Sequence, residues 1–295
     1  MSPAIQALGF GVVTAGVLAP AAVGISMQFA ITNIFNIAMG SQLTLAAFIG
    51  YEVNHAGATI WLAMAIAGLF TGVTSVLLNR GLFQPFLRRG TTFFGILVVG
   101  IALLLILQYT AQAIWGPSFF SYTFSQGAQL QWGSLTFTRA QLVILGISVV
   151  AMGGVHALLA HTRFGKAMRA TASDSDLASS CGIRTELVTD VTWFVSGTLC
   201  GIGGVALGMT LGAFSTSLGS TFLLEIIAAA ILGGIGQAYG AMVGALIIGI
   251  VAEESALALS SAYSQVSAFV ILVVVLLVRP QGIFPGVARS RGLAG

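Results

Sequence analysis

Charge is what this chain of 295 residues has least of. Asp, Glu, Lys and Arg make up 6% of it, against roughly 25% in a soluble domain. Nothing charged precedes Glu52, and no charge lies between Arg89 and Arg139. A water-soluble fold is excluded by such runs, whereas a chain meant for lipid omits charge for a physical reason: ions are costly to bury in hydrocarbon. Cysteine is nearly absent too. Cys181 falls in a charged stretch and Cys200 in an apolar run, a separation that speaks against a disulfide or a metal pair. No basic n-region precedes the first apolar stretch, so that stretch is expected to remain as a span and not to be cleaved. A phosphate-cradling Gly-x-x-x-x-Gly-Lys-Ser/Thr motif is also missing, so ATP binding through such a loop is not expected.

What is present is hydrocarbon. The AVILMFWYC set reaches 57%, mean hydropathy is +1.01, and 38 glycines let helices approach closely or break where polar backbone lines a pathway. Segments of about 20 apolar residues read as helical spans. They fall at Ala4–Met27, Ile31–Gly50, Ala58–Leu78, Thr92–Ile114, Ala140–Ala160, Val191–Leu211, Leu223–Gln237, Ala241–Leu259 and Ala262–Val278. The fold class is therefore an all-α polytopic membrane protein of eight to nine transmembrane helices. One or two helices are interrupted, and residues 1–295 form a single domain.

Loop charge orients it. Arg80, Arg88 and Arg89 share one loop; Arg163, Lys166, Arg169 and Arg184 a second; Arg279, Arg289 and Arg291 the tail. With nine spans all of these fall on one side, which the positive-inside rule makes cytoplasmic, with the N-terminus outside and the C-terminus inside. The sequence pI near 9.2 follows from these flanking cations and does not suggest nucleic acid. The outer stretch from Trp115 to Arg139, rich in aromatics and small polar residues, reads as an interfacial belt with a short hairpin.

Eight of the 19 charged residues crowd between His161 and Asp190. Within this loop Ser173 is a candidate N-cap, with Asp174 and Asp176 in the first turn that follows and Gly182 as the stop. Ala170, Leu177, Ala178 and Cys181 recur at helical spacing, which predicts a helix of two to three turns against the cytoplasmic face. It is either an ordinary solvated connector or a docking surface.

Polar residues inside apolar surroundings, namely Asn33, Asn36, Ser41 and Gln42, either bond helix to helix or line a pathway. A faint internal echo relates the segment around Gly40 to the one holding Gly233, Gly234 and Gly236, as in transporters built from repeats. Glu52, Glu225, Glu253 and Glu254 fall near outer span ends. They are either snorkelled carboxylates or, for Glu52, Glu253 and Glu254, a docking rim for a basic partner. Asp174 and Asp176 have no further acidic or histidine ligand nearby, so no metal site is expected, and His55, His156 and His161 read as interfacial or core residues. No catalytic residue is assigned.

Four segments, in order along nearly the whole chain, resemble membrane subunits of branched-chain amino acid ABC importers. They are 79–89 (NRGLFQPFLRR), 163–183 (RFGKAMRA followed by DLASSCGI), 230–245 (AILGGIGQAYGAMVGA) and 278–285 (VRPQGIFP). The resemblance implies a permease of the bacterial inner membrane with a second related permease subunit, two cytoplasmic ATPase subunits and a periplasmic substrate-binding protein. ATP and Mg would bind on those partners and no cofactor on this chain. Residues 161–190 would be the coupling loop. Arg163, Gly165, Lys166, Arg169, Ala170, Asp174, Asp176, Leu177, Ala178, Gly182 and Ile183 would form its coupling surface, and the helix from Thr171 to Cys181 would sit in a groove on an ATPase.

Asn36, Gly40, Ser41 and Gln42, with Asn33 and the three late glycines, would lie on the translocation path. Met39 and Ser41 depart from the family's imidazole and acid, and Glu225 stands where some members differ. Cargo other than leucine, isoleucine or valine, such as another amino acid, urea or a short amide, therefore stays open. A self-contained secondary transporter or channel would instead need an ionisable pair at mid-depth, and a membrane-embedded enzyme would need a metal on Asp174 and Asp176.

Overall fold

Apolar stretches of this length meet no water in a bilayer, so their backbone must be satisfied within the chain, which helices achieve. The computed structural model describes residues 3–124, 127, 129–132, 135–258, 260 and 263–284. Its elements are α1 (Pro3–Thr32), α2 (Met39–His55), α3 (Ile60–Leu78), a π-helical turn (Asn79–Phe83) running into α4 (Gln84–Arg88), and α5 (Phe93–Trp115). There follow the antiparallel strands β1 (Gln129–Trp132) and β2 (Leu135–Thr138), α6 (Arg139–His161), α7 (Arg163–Ser173), α8 (Ser175–Ser180), α9 (Thr185–Leu211), α10 (Leu218–Gly233), α11 (Ala238–Ala258) and α12 (Ser264–Val278).

Each expected span has a helix at its place, but the bounds move. The first continues to Thr32, where Asn33 turns left-handed (φ 56°) and ends it, so the expected span Ile31–Gly50 is not one helix. Residues 33–38 cross as open chain and α2 starts only at Met39. The sixth begins at Thr185, so the last residues of the expected charged loop, Glu186 and Asp190 among them, are the first turns of α9. Leu259 and Ala262, expected at the edges of the last two spans, and the tail arginines Arg289 and Arg291 lie outside the described residues. Among the described residues, six helical stretches are long and apolar enough to cross a membrane: α1, α3 through α4, α5, α6, α9 and α11. α2, α10 and α12 are shorter, at 17, 16 and 15 residues.

The centre of the bundle is α1, packed on α11, α9, α10 and α6. Hydrocarbon gives helices no hydrophobic reason to associate, so close packing must do it. α3 and α9 cross where Gly68 and Gly72 face Gly197 and Gly201, and added side chains would strike backbone there. α5 and α6 turn most of their surface outward.

The helix ends sort into two poles. At one, Arg80 and Arg88 of the α3–α4 stretch pair with Asp190 and Glu186 of α9. α7 packs on the ends of α1 and α6 at that pole, and Phe284 bonds back to Gly233. This basic pole gathers all the described segments that carry the loop cations. At the other, the hairpin pole, β2 runs into α6 through a capping box. There Gln141 N donates to Thr138 Oγ1 (3.3 Å), and Thr138 N donates to Gln141 Oε1 (2.9 Å). The short hairpin expected between Trp115 and Arg139 is thus present.

Candidate functional site

Midway between the poles the two short inner helices meet end to end. Met39 lies against Gly24 of α1, and its carbonyl accepts the Cys200 thiol of α9 (3.5 Å), so α2 begins in the middle of the bundle. α10 begins inside as well. Residues 212–217 fold inward from the hairpin pole, with Phe214 buried between Phe48 and Tyr122 and paired through its backbone with Phe120. Gly219, in the first turn of α10, donates its N–H to Thr44 Oγ1 (2.8 Å). A Cβ there would overlap the Gly40 carbonyl, so only glycine permits this approach. Helix N-termini carry unpaired N–H groups and a partial positive charge, and two of them point at this crossing.

The polar residues expected on a pathway divide here. Asn36 is buried and donates Nδ2–H to Gln28 Oε1 (3.0 Å); Gln28 Nε2 in turn donates to Ser75 Oγ (3.4 Å). Ser41 donates to the Leu104 carbonyl of α5 (2.6 Å). Gln42 is 1% exposed, and neither atom of its amide has a hydrogen-bond partner. Asn33 is exposed and serves as the end of α1. Gly233, Gly234 and Gly236 are not at the crossing. They form the elbow between α10 and α11 at the basic pole, where Gly236 N donates to Ser26 Oγ (3.1 Å). Gln28 and Ser75 were not singled out from sequence; their only signal was a polar residue inside an apolar run.

At the basic pole the expected helix is two. Ser173 is not the cap: its hydroxyl donates to the Arg169 carbonyl (3.0 Å) and ends α7. Asp174 takes an extended backbone, and its Oδ1 accepts from both Asp176 N and Leu177 N (2.9 Å each), which starts α8. The Asp174 carboxylate takes two backbone N–H groups, and the helix breaks there. α8 has six residues, short of the two to three turns expected.

Gly182 is the stop, at φ 86°, with Gly182 N on Ser179 O and Ile183 N on Ala178 O closing a Schellman turn. The break also undoes the expected common face: Ala178 is buried while Leu177 is 63% exposed and Cys181 is exposed. α7 is seated on α6, α9 and α1, with Gly165 and Met168 buried, Ala170 half-buried, and Arg163, Lys166 and Arg169 exposed. Arg169 Nη1 donates to the Leu159 carbonyl. α8 touches only α7 and α9 substantially and carries Asp176 and Leu177 outward. Beside it Asp190, expected in a solvated loop, is buried in α9. It accepts from Arg80 Nε (2.9 Å) and Nη2 (2.5 Å) and from Asn79 Nδ2 (3.3 Å), locking the π turn to α9.

At the hairpin pole Glu52 accepts from Trp115 Nε1 (2.6 Å) and Glu253 from Thr14 Oγ1 (2.7 Å), bonds that lead to different helices. Glu254 is half-buried next to Glu253. Tyr122 donates to the Ala47 carbonyl (2.9 Å); burial pushes its phenol far up from its ordinary value, so it stays a donor. Glu225 is not at a rim but buried within α10.

Comparison with known proteins gives the family. The family described as branched-chain amino acid transport system, permease component, matches residues 7–278. The high-affinity branched-chain amino acid transport system permease protein LivH of Escherichia coli K12 is 30% identical over 95% of this chain and 94% of its own length. The corresponding protein BraD of Pseudomonas aeruginosa is 26% identical over 95% of each. Among solved structures, PsaBC from Streptococcus pneumoniae in complex with Fab shares the fold, with a TM-score of 0.52 at 12% identity over 94% of this chain and 93% of that one.

Proposed function

The chain belongs to the branched-chain amino acid transport permease family, and from that premise we propose that it is one membrane half of an ATP-driven importer of amino acids. It is a multi-pass protein of the inner membrane. In this reading α2, α10 and α12 complete a nine-span bundle, with the chain at 33–38 and 212–217 making up the length that α2 and α10 lack. The basic pole lies in the cytoplasm and the hairpin pole faces outward.

A second related permease subunit completes the channel. A periplasmic binding protein delivers cargo onto the outer face, where Glu52 and Glu254 offer acidic contacts. Two ATPase subunits grip the α7–α8 protrusion from inside. ATP and Mg are theirs, and the cargo is a branched-chain amino acid or a close relative.

ATP-driven closure of the motors moves α8, and with it the start of α9, which the Arg80–Asp190 pair joins to α3. The bundle then switches between two states by differential contact. The path runs by the α2–α10 crossing, past Asn36, Gly40, Ser41 and Gln42, to the glycine elbow at 233–236.

The observation that carries this reading is an apolar side chain held out at the basic pole: Leu177, 63% exposed on a helix capped at both ends. Seating it in a partner's pocket would take that apolar surface out of water. Leu177→Asp is expected to leave the unfolding midpoint nearly unchanged, as surface changes do. It should abolish co-purification of the ATPases and ATP-driven leucine uptake in proteoliposomes. Cys181 is exposed and Cys200 buried, so a membrane-impermeant maleimide reports the side directly. Labelling of Cys181 in intact spheroplasts, or an unimpaired Leu177→Asp complex, would refute the reading.

A further inference from the structure

Toward the hairpin pole, α1, α6, α9, α10, α11 and the start of α12 surround a cavity of about 450 Å³. Its polar lining is Thr14, Gln141, Thr210, Glu225, Glu253, Ser264 and Gln265, set among apolar side chains of α1, α9, α10 and α11. Glu225 is 4% exposed, and Gln265 faces its carboxylate. Glu253 is held by the Thr14 hydroxyl at 2.7 Å and lies near enough for the two carboxylates to interact electrostatically. Among the described residues lining the cavity there is no Lys, Arg or His.

A carboxylate out of water is costly unless a positive charge or a proton meets it, and inside a membrane protein such a group marks a site by default. Thr14 and Gln265 are neutral. They orient the acids without supplying the charge. An inorganic divalent ion is a poor candidate, because no group of three His, Cys, Asp or Glu side chains forms among the described residues and hard cations want six or more oxygens. An organic ammonium suits the place better. It has three N–H donors for two carboxylates and the Gln265 carbonyl, and its hydrocarbon part would meet the apolar lining. Gln141 adds a complementary group at the edge. Its Oε1 is spent on the Thr138 N–H, which leaves its amide NH₂ as a donor for an anion.

We propose that this cavity is an ammonium site that receives the α-amino group of the cargo on Glu225 and Glu253 as it enters from the hairpin pole. The cargo then carries a protonated amine, which selects amino acids over urea and short amides. Assigning the ammonium to cargo rests on the permease reading; the cation site itself does not.

The test uses the full complex in nanodiscs and three probes: leucine, 3-methylbutylamine, which lacks the carboxylate, and 4-methylpentanoate, which lacks the amine. The amine is expected to bind, to be competed by leucine, and to bind at least tenfold tighter than the acid. Glu225→Gln and Glu253→Gln should each weaken the amine tenfold or more. Glu225→Asp, which keeps the charge, should recover part of that loss, separating charge from misfolding. Glu186→Gln, at the far pole, should change nothing.

Amine affinity unaltered in both glutamine variants, or equal binding of the acid, overturns the proposal; if ATP-driven leucine uptake persists alongside, the permease reading survives. Charge-dependent amine binding without uptake of any amino acid leaves the cation site standing and sinks that reading. A third outcome is no binding of the free amine, with Glu225→Gln instead releasing the docked binding protein. It assigns the cation to a side chain of that partner and also overturns the cargo proposal.

Discussion

Where α2 meets α10 the chain has taken side chains away; where α7 meets α8 it has put them in. The first junction lies in the middle of the bundle and is made of Gly40 against Gly219, with one hydroxyl, Thr44, on a backbone N–H. The second lies at the basic pole and is made of Ser173 on a carbonyl, Asp174 on two N–H groups, and the glycine turn at 182. Both are helix termini, and both must satisfy the freed backbone. Deep in the bundle no water can help, so a group on the neighbouring helix must come close enough to serve, as the Thr44 hydroxyl does for Gly219, and any Cβ in between is an obstacle. At the surface a short polar side chain does the work locally and leaves its neighbours free to face outward.

The largest expected effect breaks the first junction. Gly219→Val places branched carbon against the Gly40 carbonyl and should cost about 3 kcal/mol or more, the upper end of overpacking penalties. The matched change Gly182→Val meets open space and suffers only from its left-handed backbone, at about 1–2 kcal/mol. Thermal unfolding midpoints in detergent check the order. Equal losses would mean that the crossing yields as readily as a surface turn.

An effect of opposite sign sharpens the contrast. Gln42 holds both amide atoms buried and unpaired, beside the crossing of α2 and α10. A buried unpaired polar group costs roughly 1–3 kcal/mol, so Gln42→Leu should raise stability by about 1 kcal/mol or more. The same variant should lose ATP-driven uptake, because an amide kept at that cost belongs to the path. Uptake in proteoliposomes beside unfolding midpoints checks both halves. A stability loss would assign Gln42 a structural partner and remove it from the path.

These two junctions were unequally legible in the sequence. Hydropathy marks every apolar segment, and Gly182 is readable as a stop because a glycine after a small-residue helix has few other uses. Asn36, Ser41 and Gln42 stand out as polar groups in apolar runs, yet what they touch depends on helices distant in the chain, and so do Gln28 and Ser75, 47 positions apart. Arg80 and Asp190 are separated by 110 positions, and each looked like an ordinary loop charge. The cap at 174 was missed by one residue because Ser173 and Asp174 are both good capping types, and local pattern does not rank a hydroxyl against an adjacent carboxylate. The start of α2 was misplaced for a related reason. Residues 33–38 are apolar enough to read as span, and their unwinding is set by the neighbours they meet, not by their own composition.

The smallest expected effect concerns the second junction alone. Asp174→Ala removes the acceptor for two N–H groups of α8, a loss of about 1 kcal/mol for a capping residue. α8 has only six residues and leans mainly on α7 and α9, so the loss should appear as faster amide exchange in 176–181 and not as a change in the global midpoint. α7 should keep its protection, since its own cap, Thr162 Oγ1 on Gly165 N at 3.0 Å, and its seat on α6 and α1 are untouched. Uptake should fall with the order of α8, because a frayed helix cannot hold Leu177 in one place for a motor to push. If exchange quickens through α7 as well, the elbow is one cooperative unit. The surface junction would then be as dependent on its surroundings as the buried one.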